Sequence, residues 1–475
     1  MNFEAVIGLE IHVEMKTKAK MFSCAPNNFG ADVNTNVMPL DMGFPGTMPV
    51  VNKQAVINAI RVCNALHMNI DQELWFDRKN YFYSDLPKGY QITQDKRPIG
   101  KDGYVELQTS KGLRKIGIER LHMEEDTCKQ LHTTEYSLLD YNRAGTPLVE
   151  IVSRPEIRSG EEAMKYVEKI RSIVVFGDVS DGKMEEGSLR CDVNISIKPV
   201  GSEKFGTKVE IKNLNSTSNV EKAIEFEIKR QEKLLLSGQA VEQETRRFDE
   251  QKKETVLMRK KTDAADYKYF TEPNIAPIKI SDKFVADAIA SCPELADSKK
   301  ARYMNELGLS DYDSDILLLD KAVSEYFDEA CKTTSCYKLL CNWLMVDVAS
   351  YLNKDAIKIN DFKVSPDKLA SLVNIVDKGT ISSKQARQVF EKMVLSNDDP
   401  MKIAESLNMT QICDETVLMG FINDVLAANP QSIEDFKAGK DRAVGFLIGM
   451  IMKKSQGKAN PALTSKLLNE ELKRR

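Results

Sequence analysis

The sequence predicts an α+β region followed by an all-helical one, and three observations carry that reading. Four short stretches, residues 10–14, 148–152, 189–196 and 208–212, alternate apolar with charged or polar side chains. Successive side chains of a strand point to opposite faces, so this alternation sorts charge from hydrocarbon. Helical blocks interrupt these strands without regular strand–helix–strand repetition, which separates α+β from doubly wound α/β folds. Past about residue 290 the apolar spacing becomes three and four, the period of helices.

The elements follow in chain order. Residues 161–172 place Ala163, Tyr166, Val167 and Ile170 at helical spacing. Residues 219–236 form a longer predicted helix, opening at Ser218 as cap and closing at Gly238. The segment 270–277 has two prolines and no periodicity, which marks a boundary. Residues 301–307, 315–332 and 336–352 then read as helices. A final helical module begins near Pro400 and ends in a basic tail, with nine Lys or Arg against three Asp or Glu from Lys440 to Arg475.

A chain of 475 residues exceeds one ordinary core and predicts two to three domains. Its 42% hydrophobic and 29% charged content are those of a soluble globular protein. No apolar run is long enough to span a bilayer, and the start lacks a basic-then-apolar signal pattern, so a cytoplasmic protein with no membrane partner is expected. Nine scattered cysteines, an odd number, read as reduced thiols. Cys331, Cys336 and Cys341 recur every five residues, which is helical core rather than zinc spacing.

The strongest constellation is acidic. Beside the four strands stands His122-Met123-Glu124-Glu125-Asp126. Hard cations such as Mg2+ take oxygen ligands and clamp the phosphates of a nucleotide. Singly, each Glu is an ordinary surface residue. Together on polar strand faces, Glu10, Glu124, Glu125, Glu150, Asp192 and Glu210 are candidate ligands for one or two ions. His12 completes the set, and its softer imidazole leaves Mn2+ open.

Two basic stretches are less decisive. Arg78-Lys79-Asn80-Tyr81-Phe82-Tyr83 and Asp85-Leu86-Pro87-Lys88-Gly89-Tyr90 suit a loop that meets phosphate or stacks a base, or a charged hairpin with its rings inward. Thr245-Arg246-Arg247-Phe248-Asp249 has the same ambiguity. Gly177-Asp178-Val179-Ser180-Asp181-Gly182-Lys183 imitates a phosphate-binding loop, but Met184 stands where that motif needs Ser or Thr. No amidase motif is present, so any ammonia drawn from an amide must come from another polypeptide. Near the end, Gly457-Lys458-Ala459-Asn460-Pro461 follows a basic helical stretch suited to nucleic-acid phosphates.

These motifs together resemble the B-subunit family of the tRNA-dependent aspartyl/glutamyl amidotransferases. The resemblance runs through Val6-Ile7-Gly8-Leu9-Glu10-Ile11-His12, residues 78–83 and 121–126, Asp140-Tyr141-Asn142-Arg143-Ala144-Gly145-Thr146-Pro147-Leu148-Val149-Glu150, residues 184–194 and 210–215, and the 457–461 motif. It implies a glutamine-synthetase-like cradle with a mostly antiparallel sheet over residues 1–291, a helical domain over 292–400, and a YqeY-like tail binding tRNA over 401–475. It further implies ATP-dependent phosphorylation of the side-chain carboxylate of Glu on mischarged tRNA(Gln), or Asp on mischarged tRNA(Asn). Ammonia from a glutamine-hydrolysing amidase partner then displaces phosphate, and a small third polypeptide completes a heterotrimer.

Read onto this chain, the resemblance implies that Glu10, His12, Glu124, Glu125, Glu150, Asp192 and Glu210 bind metal or line the ammonia path. Lys79, Arg190, Lys208 and Lys212 are the phosphate-contact candidates, with Glu10, Glu125, Lys79 and Arg190 expected to be catalytic. One departure stands out. Many family members carry a zinc site of four cysteines near the start, and here the positions are Ser23, Ala25, Met38 and Asp41. No structural zinc is expected, and the loop should be held by packing alone. Two other readings stay open: a non-catalytic tRNA-binding adaptor, and a free-standing ligase for a small amino acid. Unneutralised carboxylates on one face weigh against the first, and the basic tail against the second.

Overall fold

The computed structural model describes residues 2–260, 266–409, 412, 414–437 and 442–474. The chain divides into two compact units, Met1–Ala296 and Asp297–Arg475. In the first unit the strands are β1 (Phe3–Glu14), β2 (Asn69–Ile70), β3 (Glu73–Leu74), β4 (Asp77–Asn80), β5 (Tyr90–Thr93), β6 (Gly100–Thr109), β7 (Gly112–Glu125) and β8 (Lys129–His132). They continue with β9 (Ser137–Asp140), β10 (Pro147–Ser153), β11 (Leu189–Pro199), β12 (Val209–Lys212), β13 (Glu244–Asp249), β14 (Glu254–Lys260), β15 (Phe270–Thr271) and β16 (Ile278–Lys279). The helices are α1 (Lys53–Ala65), α2 (Gly160–Phe176), α3 (Thr217–Leu236) and α4 (Asp282–Ala290).

Nine strands form one sheet in the order β14-β13-β12-β11-β1-β10-β7-β6-β2. Every pairing in it is antiparallel except β12 with β13. The chain's first strand lies near the middle, so its neighbours come from residues more than 130 positions away. Ile7, Leu9, Ile11 and Val13 of β1 are buried, as are Val193 and Ile195 of β11. On this apolar face the helices pack, with Tyr166, Val167 and Ile170 of α2 and Val220, Ala223 and Ile224 of α3 in the same core. A small sheet, β15-β4-β5, stands beside the free end of β7.

Helix α2 runs further than its apolar spacing predicts, to Phe176. Helix α3 begins earlier, because Ser216 rather than Ser218 is the cap: its backbone is extended and its Oγ accepts the Asn219 N–H at 3.2 Å. Residues 315–332 are two helices, Asp311–Leu317 and Lys321–Cys331, since Asp320 starts the second by accepting the Ala322 N–H at 2.8 Å. Residues 336–352 form a helix with a π-helical stretch at Leu344–Val348.

The second unit holds two apolar clusters, one drawn from Tyr303 to Ala404 and one from Leu418 to Leu472. Among the described residues no helix is long and apolar enough to cross a membrane. Lys440, Asp441 and Arg475 of the basic tail lie outside the described residues.

The loop that departs from the cysteine pattern is not held by packing alone, which corrects that expectation. Asp41 is its hub. The carboxylate accepts from Ser23 Oγ at 2.8 Å and from the Met38 N–H at 2.9 Å, and it faces Lys20 Nζ at 3.4 Å. Both members of the ion pair are almost fully buried, at 0% and 1% side-chain exposure. Lys20 also donates to the Tyr141 carbonyl at 3.2 Å. A carboxylate, a hydroxyl and an ammonium therefore tie the chain together by directional bonds. Gly145 sits against this hub in the left-handed region (φ +85°), where a Cβ would lie 2.8 Å from Asp41 Oδ1.

Candidate active site

Strand register decides which charged residues meet. β1 pairs His12 with Glu150 on one side and with Arg190 on the other, and β10 pairs Glu150 with His122. His122, Glu150, His12 and Arg190 thus form a row across four adjacent strands, on the face opposite the helices. Glu124, two residues beyond His122, points to the same side.

The row closes into a cluster. His12 Nε2 lies 3.3 Å and His122 Nε2 3.2 Å from Glu150 Oε2. Glu124 approaches His122 Nε2 at 3.7 Å and His12 Nε2 at 4.0 Å. Among the described residues, His12, Glu124 and Glu150 bring one ligand atom each within 4.8 Å of one another. Burial alone would push both imidazoles down. Glu150 and Glu124 outweigh it, holding His12 above its ordinary range and His122 at about 9. Conversely, burial would raise Glu150, but the two histidines hold its carboxyl well below the usual range. The Nδ1 of His122 is buried with no hydrogen-bond partner. One imidazole and two carboxylates around a common point fit a divalent cation, Mn2+ by the nitrogen and Mg2+ by the oxygens.

A cationic rim adjoins the cluster. Arg190 Nη2 donates to Asp126 Oδ2 at 2.5 Å, and Arg143 Nε stands 3.7 Å from the same oxygen. Burial would raise Asp126, yet these guanidinium groups hold it down. Its neighbour Glu14 is pushed up to about 8, by burial and by the Asp126 charge beside it. On the other flank of β1 lies a second acidic group. Lys212 pairs with Asp192 and, at 3.5 Å, with Glu210; Asn194 Nδ2 donates to Glu10 Oε1 at 2.8 Å. A cleft of about 520 Å³ opens here, lined by His12, Arg190, Asp192, Lys212, Asn213 and Glu185 among others. Ligand pockets of this size are ordinary for nucleotide-sized molecules.

Family models match most of the chain: the "GatB/GatE catalytic domain" over residues 5–286 and the "GatB domain" over residues 325–472. The chain is 52% identical to the B subunit of the aspartyl/glutamyl-tRNA(Asn/Gln) amidotransferase of Geobacillus thermodenitrificans, over the full length of both. It is 51% identical to the B subunits of the same enzyme from Bacillus velezensis and Staphylococcus aureus, again over full length. The chain belongs to the amidotransferase B-subunit family. It is an enzyme subunit of the ligase class, and the acidic cluster lies inside its matched catalytic domain.

In this member of the family the six carboxylates expected to converge fall into three places. Glu124 and Glu150 meet His12. Glu10, Asp192 and Glu210 stand in the second group with Lys212, Asn194 and Thr245. Glu125 joins neither, which corrects its place in the metal set. Consecutive strand residues face opposite sides, so it follows Met123 away from the cluster. There it is buried, paired with Lys88, and accepts the Ile92 N–H at 2.9 Å.

The cation candidates divide likewise. Arg190 and Lys212 border the cleft. Lys79 does not, because β4 belongs to the small sheet, where its Nζ lies 4.9 Å from the Tyr267 ring centre and 5.6 Å from that of Tyr81. Lys208 is exposed and ends just before β12 begins, outside both groups. His122, Glu14, Asp126 and Arg143 also belong to the site, although they are not among the residues that the sequence assigns to it. For His122 the signal was present, since it shares the parity of Glu124 in the same strand.

Proposed function

We propose that this chain activates the side-chain carboxylate of Glu on mischarged tRNA(Gln), of Asp on mischarged tRNA(Asn), or of both, and then amidates it. A carboxylate is a poor acceptor for ammonia because its leaving group would be oxide. In the proposed sequence a carboxylate oxygen attacks the γ-phosphorus of ATP and ADP leaves. Ammonia then attacks the acyl carbon and phosphate departs, giving Gln-tRNA(Gln) or Asn-tRNA(Asn). The observation that carries the reading is the meeting of His12, Glu124 and Glu150 beside a polar, nucleotide-sized cleft that Arg190 and Lys212 border.

His12, Glu124 and Glu150 are the proposed holders of a divalent ion, which when bound neutralises charge on phosphate and carboxylate. Glu10, Asp192 and Glu210 are the candidates for a second ion. Arg190 and Lys212 face the cleft and are assigned to the phosphates. Glu125, behind the cluster and beside Lys88, is the candidate to take a proton from arriving ammonium. The absence of an amidase motif supports a glutamine-hydrolysing partner as the ammonia source, with a small third polypeptide in a heterotrimer. The helical bundle from residue 401 onward, with Lys453, Lys454 and Lys458 near one helix end, is assigned to tRNA phosphates.

The deciding experiment measures ATP hydrolysis by the complex with its amidase partner, with and without mischarged tRNA, for wild type, Glu150→Gln and Glu125→Ala. Turnover that needs the mischarged tRNA and is lost in Glu150→Gln supports activation at this cluster. Turnover unchanged in Glu150→Gln moves the chemistry to another chain and leaves this one an adaptor.

A further inference from the structure

We propose that a tyrosine wall on the small sheet is the seat of the unpaired 3′-terminal adenosine of the aminoacyl-tRNA. This rests on the function proposed above and names where its second substrate sits.

The wall is continuous. Ring centres step from Tyr83 to Tyr81 at 5.8 Å, from Tyr81 to Tyr267 at 5.9 Å, and from Tyr267 to Tyr269 at 6.0 Å. Lys79 lies over Tyr81 and Tyr267. At its outer end Phe82 is 88% and Tyr83 63% exposed. Clustered large rings left in water serve no core and mark a surface that something covers.

The wall is also rigidly built. Arg78 of β4 makes a two-pronged bond to Glu272, at 2.5 and 3.1 Å, and its guanidinium stacks 4.0 Å from the Tyr90 ring centre. Asn80 joins the two tyrosine segments, taking its N–H to the Tyr267 carbonyl at 3.0 Å and its Nδ2 to that of Lys268 at 2.8 Å. The inner end reaches the end of β7, beside Glu124 of the cluster. Tyr81 Oη donates to Gln91 Oε1 at 3.4 Å, and Gln91 Nε2 to the Glu125 carbonyl at 2.6 Å. Thr93, in the same small sheet, donates to Glu124 Oε2 at 3.3 Å. Burial and the Glu124 charge push the Tyr81 phenol up, as proximity requires.

The cluster thus has two approaches, the polar cleft on the β11–β12 side and the ring wall on the β5–β7 side. In-line phosphoryl transfer places attacking and leaving oxygens on opposite sides of phosphorus. A nucleotide entering by the cleft, where Arg190 and Lys212 await phosphates, leaves the wall to the acceptor. The acceptor's amino acid is esterified to the terminal ribose, so the terminal base lies only a few bonds from the reacting carboxylate. These rings meet edge to face, and aromatic faces with an interleaved lysine are what holds an unpaired base regardless of its identity. Adenine of ATP offers the same chemistry, so the test must separate the two sources.

The probe is glutamyl-tRNA carrying 2-aminopurine in place of its terminal adenine, bound to the complex with the amidase partner. Wild type should quench its fluorescence, and Tyr267→Ala and Tyr83→Ala should relieve the quenching. KM for the mischarged tRNA should rise roughly 10-fold per ring removed, with KM for ATP unchanged. Tyr83→Phe, which keeps the stacking surface, should behave as wild type and guards against a folding defect. A rise in KM for ATP alone assigns the wall to the ATP adenine and overturns the proposal. Unchanged constants with no quenching overturn it too, leaving the wall to a protein partner. ATP turnover in wild type without any mischarged tRNA would instead overturn the proposed function itself.

Discussion

Removing one member of the buried Lys20–Asp41 pair tests how the cysteine-poor loop is held. In Lys20→Met the Asp41 carboxylate keeps its bonds from Ser23 and the Met38 N–H but loses the ammonium that faces it. Breaking a buried pair in this way costs about 3–5 kcal/mol, because a desolvated charge is left behind. For a unit of nearly 300 residues that corresponds to a melting point about 5–8 °C lower. Asp41→Asn should cost a similar amount, since it strands the Lys20 ammonium with the Tyr141 carbonyl. The double variant Lys20→Met/Asp41→Asn removes both charges, so it should recover at least about 1.5 kcal/mol of the summed loss.

Burial lowers the Lys20 pKa below its ordinary value, despite the Asp41 charge that raises it. A lysine lowered in the folded state binds fewer protons there than when unfolded. Wild-type stability should therefore rise as pH climbs from that lowered value toward the ordinary one, and Lys20→Met should abolish this slope. Calorimetry of the first unit's transition, with the four variants of the cycle at several pH values, gives both numbers. Additive single effects, or shifts under about 2 °C, would refute the reasoning and return the loop to packing alone.

Three further outcomes follow from the same geometry. Glu150→Gln should weaken Mn2+ binding at least about 100-fold by electron paramagnetic titration without tRNA, as it removes the carboxylate between both histidines. Lys212→Met should raise KM for ATP about 10-fold, equivalent to about 1.4 kcal/mol, in steady-state amidation assays. Asp313 both closes a capping box with Ser310 and pairs with Lys338; that lysine, then Ser310, holds its carboxyl below the ordinary value. Its contribution is present above the unfolded carboxylate pKa and is lost as pH falls through the lowered folded one. Asp313→Asn should cost about 1–2 kcal/mol at neutral pH, with the difference from wild type vanishing at low pH in urea titrations.

Much of the fold was legible because its signals are local. The strand at residues 10–14 and the helix at 161–172 announce themselves by period, whereas the prolines of 270–277 lie between β15 and β16 inside the first unit, which runs on to Ala296. Helix starts were less so: Ser216 and Ser218 are equally good caps by composition, and only backbone geometry chose the first. The break between Asp311–Leu317 and Lys321–Cys331 was hidden because apolar spacing continues across it.

The site divides along the same line. Alternation within a strand is covalent, so the sequence alone committed Glu10, His12 and Glu14 to one face, and Arg190 with Asp192 to one face. It equally committed Glu124 and Glu125 to opposite faces. Which strands lie side by side is a matter of non-local hydrogen bonding. Only the folded sheet set β1 between β10 and β11, and so put His12 against Glu150 rather than gathering all six carboxylates. The same holds for the aromatic wall. Tyr81 and Tyr267 are 186 positions apart, and a pairing of β4 with β15, sealed by Arg78 and Glu272, makes them neighbours. Local chemistry is written residue by residue, whereas convergence depends on contacts whose partners no short window of sequence contains.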